Sequence, residues 1–81
     1  MIKIKEPRYR DRKVLVARYR IGCGEGLTIE IQKGSYKGIY RVSNEDICAS
    51  DIESMKTRNG SSISMRAIPL DKLERIGDVH D

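Results

Sequence analysis

Apolar and polar residues alternate with a period of two along most of this chain, and that period predicts strands rather than helices. The alternation is clearest over residues 13–21, where Leu15, Ala17, Tyr19 and Ile21 share one face and Val14, Val16, Arg18 and Arg20 the other. The second face begins apolar and ends basic, so the first half of this strand is expected to be covered on both sides. Leu27, Ile29 and Ile31 resume the pattern opposite Thr28, Glu30 and Gln32. Between the two segments, Gly22, Gly24 and Gly26 surround Cys23 and Glu25, as a chain reversal requires, and a hairpin of 13–21 with 27–32 is predicted. Residues 33–38 predict a further turn. Ile39 to Val42 predicts a short third strand, with Tyr40 and Val42 facing the core together.

Residues 43–55 support two readings. Ile47, Cys48, Ile52 and Met55 fit one face of a helix, and Ser43 with Asp46 resembles a capping box. Against this, Arg58-Asn59-Gly60-Ser61 signals a two-residue hairpin turn. Pairing Arg58 with Ser61 sets Glu53 opposite Arg66 and Ile52 opposite Ala67, so a complementary charge pair lies beside an apolar face of Ile52, Ala67, Met65 and Ile63. The hairpin over 51–68 is therefore favoured, with at most one helical turn across 43–49. Pro69, the stripe Leu70, Leu73 and Ile76, and Gly77 then predict a short helix or 3₁₀ turn capping the core. The predicted fold class is mainly β: a small barrel or strongly curved antiparallel sheet of about five strands with a short C-terminal helical cap.

The ends are read separately. Ile2 to Lys5 alternates apolar and basic and can form a short edge strand, but Pro7 ends it and Arg-Tyr-Arg-Asp-Arg-Lys follows with no buried face. Residues 1–12 are expected to be a basic arm, 13–77 a single small β domain, and 78–81 a frayed tail. With 81 residues and neither Trp nor Phe, the core must come from Val, Leu, Ile, Met and Tyr. A chain of this size buries only about 60% of its unfolded surface, which makes homo-oligomerisation a secondary expectation. No apolar run approaches the ~18 residues of a membrane helix, and the N-terminal segment lacks the apolar core of a signal peptide. A cytoplasmic protein with no membrane partner is expected.

Charge changes this picture more than composition does. The net charge is +4, but residues 1–42 carry eleven Lys/Arg against four acids (+7), and residues 43–81 carry five against eight (−3). Such asymmetry suggests a side facing a polyanion, or an interface between opposite ends of two subunits. Catalytic chemistry is not indicated. His80 is the single histidine and lies in the tail, no serine occupies a nucleophile elbow, and Glu45, Asp46, Asp51 and Glu53 form an acidic stretch without metal-ligand spacing. Cys23 and Cys48 with His80 are too few for a four-ligand zinc site, so no metal and no cofactor are expected. The two cysteines read as reduced thiols, Cys48 buried, with a disulfide between them the alternative in an exporting context. The glycine cluster is no phosphate loop, because a strand rather than a helix follows it.

Arg8-Tyr9-Arg10, Arg18-Tyr19-Arg20 and Tyr36-Lys37 with Tyr40-Arg41 interleave rings with cations. Cations neutralise phosphates and tyrosine faces stack on unpaired bases, which is the chemistry a single-stranded nucleic acid requires. By strand parity Tyr19 and Tyr40 are expected in the core, Tyr9 and Tyr36 outside it. The segment Lys33-Gly34-Ser35-Tyr36-Lys37-Gly38 through Val42 resembles the KOW motif of ribosomal and transcription-elongation proteins, over about ten residues, with Tyr40 or Arg41 where that family has its second glycine. The resemblance implies a barrel turn exposing Lys33, Tyr36 and Lys37 toward RNA.

The expected function is a non-catalytic β module that binds RNA or single-stranded DNA through its basic half. Arg8, Arg10, Arg12 and Lys13 would form a phosphate-contacting arm, Arg18, Arg20, Lys33, Lys37 and Arg41 the strand and turn contacts, and Tyr9 and Tyr36 the stacking rings. The alternative is a protein-interaction or self-assembly module in which the basic half of one subunit meets the acidic half of another.

Overall fold

A computed structural model describes residues 1–21 and 26–79. The expected turn at 22–25, the state of Cys23, and the end of the tail at His80 and Asp81 lie outside the described residues. The architecture is mainly β, with eight strands in two sheets among the described residues, one sheet curled into a half-barrel. The strands are β1 (Ile2–Ile4), β2 (Tyr9–Arg10), β3 (Lys13–Ala17), β4 (Leu27–Ile31), β5 (Gly38–Val42), β6 (Asp51–Lys56), β7 (Ser62–Pro69) and β8 (Glu74–Gly77). One sheet has the order β1-β4-β5-β8 and the other β2-β3-β7-β6; β1 runs parallel to β4 and every other pair is antiparallel.

The two sheets face each other across one apolar core. Ile2, Ile29, Ile31, Tyr40 and Val42 of the first sheet meet Val14, Val16 and Ile68 of the second, and Ile47 closes the cluster from the short helix α1 (Asn44–Ala49). Tyr40 is buried as parity predicts, its hydroxyl donating to the Tyr36 carbonyl at 2.7 Å. Val14, Leu15 and Val16 are all buried, so β3 is covered on both faces. Ile2 sits in the core at 6% exposure, so the chain packs from its second residue.

Four details differ from the sequence reading. First, β3 and β4 do not form a hairpin: they belong to different sheets, and β3 pairs with β2 and β7. Second, β3 ends at Ala17, and Arg18–Arg20 is a 3₁₀ turn closed by Ile21 N–H on the Arg18 carbonyl at 3.1 Å. The period of two stops there, and Tyr19 swings out of the core to 79% exposure. Third, the β6–β7 hairpin is present with its register one residue away from the predicted one: Thr57 N–H donates to Ser61 O at 2.8 Å, and Gly60 adopts φ +84°. This is a three-residue loop with glycine at the left-handed position, not a two-residue turn. Ile52 consequently faces Arg66, and Glu53 faces Met65. Fourth, the expected helix or 3₁₀ turn is a 3₁₀ turn confined to Leu70–Lys72, and residues 74–77, read as its continuation, form β8 at the edge of the first sheet. Eight strands replace the five expected because several are only two to four residues long.

The ambiguous segment contains both predicted elements in succession. Ser43 Oγ accepts from Asp46 N–H at 3.2 Å and donates to the Asp46 carboxylate at 2.9 Å, starting α1 as the capping pattern predicts. The helix runs six residues, and β6 follows it directly. Cys48, expected to be buried, is exposed on its outer side as a free thiol.

Candidate nucleic-acid interface

One face of the second sheet carries ion pairs that join its two edge strands. Leu15 and Ala67 are register partners there, both buried yet outside the main core cluster. Above them Arg10 of β2 meets Glu53 of β6 at 2.9 Å, and Lys13 of β3 meets Asp51 of β6 at 3.6 Å. β2 and β6 are the two edges of a four-stranded sheet, which if flat would hold them about 14 Å apart. A direct contact between those side chains requires the sheet to roll up toward this face. The ion pairs thus roof one end of a concave surface.

The other end of the same face is open. Ala17, Met55, Ile63 and Met65 continue the side of Leu15 and Ala67 beyond the ion pairs, as the pairings Ala17↔Met65 and Met55↔Ile63 dictate. Two adjoining depressions of about 170 and 320 Å³ lie there, and a third of about 450 Å³ adjoins them along the β7 edge. The first two share Arg8, Ala17 and Met65; the third shares Tyr19 with the first and Ile63 with the second. Together they make one shallow groove with an apolar floor. Arg8, Arg20, Lys56, Arg58 and Arg18 form its rim, and Glu6 is the single acid there among the described residues. None of those five cations is in an ion pair among the described residues, whereas Glu6 is engaged by Lys33 at 3.8 Å. Tyr19 stands between the arginines as the most exposed ring of the protein among the described residues.

The remaining sequence-predicted residues are distributed elsewhere. Arg10, Lys13 and Lys33 are held in the ion pairs just described. Arg12 and Tyr36 line a separate depression of about 400 Å³ with Asp11, Lys13, Pro69, Leu70 and Asp71, where the acids offset the cations. Tyr9 and Tyr36 are both exposed, as expected, and contact each other, with ring centroids 5.3 Å apart and planes tilted by 52°. Partial burial, with Tyr40 and Tyr36 adding to it, pushes the Tyr9 phenol above its ordinary value. Lys37 is half-buried at the end of the turn and is engaged in the structure. Arg41 projects from β5 in the other sheet, across from Thr28 and Glu74. Folding therefore gathers Arg8, Arg18 and Arg20, adds Lys56 and Arg58, and places Tyr19 among them.

Lys56, Arg58 and the floor residues were not visible in the sequence as parts of a site. The only signal was that the β6–β7 hairpin tip carries cations within an otherwise acidic half, and the net charge of that half conceals it. The segment similar to the KOW motif forms the β4–β5 turn, with Gly34 at φ +95° and Lys37 N–H on the Gly34 carbonyl at 3.2 Å. Among the described residues there is no group of His, Cys, Asp and Glu side chains that could hold a metal ion, and no helix is long and apolar enough to cross a membrane. The chain matches no protein-family model, no curated protein and no solved structure.

Proposed function

We propose that this protein is a non-catalytic β module of the cytoplasm that binds RNA or single-stranded DNA along the open groove of its half-barrel sheet. The observation that carries this reading is the convergence of Arg8, Arg18, Arg20, Lys56 and Arg58, all without carboxylate partners among the described residues, around an apolar floor and the exposed Tyr19. Five cations in such an arc suit a flexible phosphate chain, and the ring and apolar floor suit the faces of unpaired bases. Assembly between opposite charges of two subunits is less favoured, because Arg10–Glu53 and Lys13–Asp51 already join the basic and acidic halves within one molecule.

The test is fluorescence anisotropy with a short labelled oligouridylate across a salt series. If all five cations contact phosphates, the slope of log affinity against log salt should be about −3.5. Replacing Lys56 and Arg58 together by Glu should weaken binding at least tenfold while leaving the circular dichroism spectrum unchanged, because both side chains are exposed at a hairpin end. No binding at low salt, or binding indifferent to salt, would refute the proposal.

A further inference from the structure

We infer that the part of the groove between the Arg18–Arg20 turn and the start of β7 is a subsite for one unpaired base, with Tyr19 as its stacking platform and the main chain of Ser62 as the partner of its hydrogen-bonding edge. This inference rests on the reading of the groove as a nucleic-acid site and adds what that site recognises.

The argument comes from the parity of the β7 hydrogen bonds. Thr57 N–H donates to Ser61 O at 2.8 Å, so the odd-numbered residues of β7 direct their main-chain groups to β6 and the even-numbered residues direct theirs to the other side. At the far end Leu70 N–H donates to Arg12 O at 3.0 Å, which is the same parity seen from β3. β3 would continue this ladder along Ser64 and Ser62, but its pairing stops at Ala17↔Met65, where the chain turns into the 3₁₀ segment. Ser62 thus points its N–H and C=O away from β6, with no strand on that side among the described residues. They open onto the depression of about 450 Å³ lined by Arg18, Tyr19, Ser62, Ile63 and Ser64.

A neighbouring N–H donor and C=O acceptor match the adjacent acceptor and donor that a base presents on its pairing edge. That edge is available only when the base is unpaired, and an aromatic ring beside it supplies the stacking surface. Arg18 at the same depression supplies a cation for the flanking phosphate. Selectivity for single strands over duplex follows, because base pairing occupies the edge that Ser62 would meet.

The experiment compares three probes of equal charge, namely a short oligouridylate, inorganic polyphosphate and poly-glutamate, on the wild-type chain and on two variants, Tyr19→Ala and Ser62→Pro. Proline suits position 62, since it is the first residue of β7 and its N–H makes no ladder bond to β6. Circular dichroism checks that both variants fold. Each variant should lower oligouridylate affinity about tenfold and leave polyphosphate affinity unchanged. Wild-type binding to oligouridylate with no loss in either variant, or with an equal loss for polyphosphate, overturns the base subsite and leaves the groove as a phosphate site. Poly-glutamate binding as tight as oligouridylate, and lost in Ser62→Pro, overturns it in favour of an extended peptide added to the β7 edge. If the wild type binds neither oligouridylate nor polyphosphate, the underlying reading fails and the subsite with it.

Discussion

Asp11 and Arg12 join β2 to β3 with φ angles of 49° and 61°, a mirror-image turn that would ordinarily be built from Asn and Gly. Each non-glycine residue held there costs about 1–2 kcal/mol. Arg12→Gly should therefore stabilise the fold by about 0.5–1 kcal/mol after the added entropy of the unfolded glycine, measured as a higher urea midpoint. The converse holds at Gly38, which is buried: a Cβ there would lie 3.2 Å from the Arg75 guanidinium carbon, 3.2 Å from Tyr40 Oη and 3.3 Å from Tyr40 Cε2. Tyr40 cannot yield without disturbing its bond to the Tyr36 carbonyl. Gly38→Ala should cost about 1–3 kcal/mol by the same measurement. Tyr9 has a pH signature. Its phenol is raised above 10.0, chiefly by desolvation, so the unfolded chain loses this proton first as the solution becomes alkaline. The contribution is complete below about pH 10 and declines from there to the higher folded value, and Tyr9→Phe should flatten that part of an alkaline melting series.

At the scale of elements, the β6–β7 hairpin shows how a turn sets the role of everything along its strands. A one-residue difference in loop length removes Arg66 from Glu53 and places it opposite Ile52. Arg66 then extends one guanidinium nitrogen to the carbonyls of Ile47 at 3.1 Å and Ser50 at 2.9 Å, and so satisfies the C-terminal end of α1. Glu53 is left for Arg10. Arg66→Met should cost about 1.5–3 kcal/mol and reduce hydrogen-exchange protection in α1 before the sheets are affected. The existence of the hairpin was legible from Asn59-Gly60 and the alternation around it. Its register was not, because both loop lengths use the same residues and only the partners of Arg66 and Glu53, distant along the chain, distinguish them. The capping of α1 by Ser43 and Asp46 was legible, since a cap is made by residues three apart. The 3₁₀ turn at Arg18–Arg20 was not, since Arg-Tyr-Arg followed by Ile21 continues a strand pattern equally well.

For the whole molecule, the decisive fact is that the N-terminal segment belongs to the fold. β1 pairs in parallel with β4, and Ile2 fills the core beside residues from both sheets. A domain of this size has about 4–12 kcal/mol of total stability, and truncating a buried isoleucine costs about 2–5 kcal/mol. Ile2→Ala should accordingly lower the melting temperature of the entire protein in one cooperative transition; an unchanged midpoint would show that β1 is dispensable. The lopsided charge has its explanation at this scale too. Part of the basic excess closes the curled sheet through Arg10–Glu53 and Lys13–Asp51, and part is left around the open end of the groove.

What the amino-acid order determined without help was local: strand propensity from alternation, turns from Gly34 and Asn59-Gly60, the helix start at Ser43, and a core of aliphatic residues with Tyr40. These depend on neighbours within a few positions, where the period and chemistry of the chain leave little choice. Which strands share a sheet, which cations keep their charge unpaired, and which tyrosine faces solvent were decided only by the tertiary structure. Those outcomes depend on residues far apart in the chain, such as Arg10 and Glu53, 43 positions from each other, meeting when the sheet curls, and no local pattern encodes that distance.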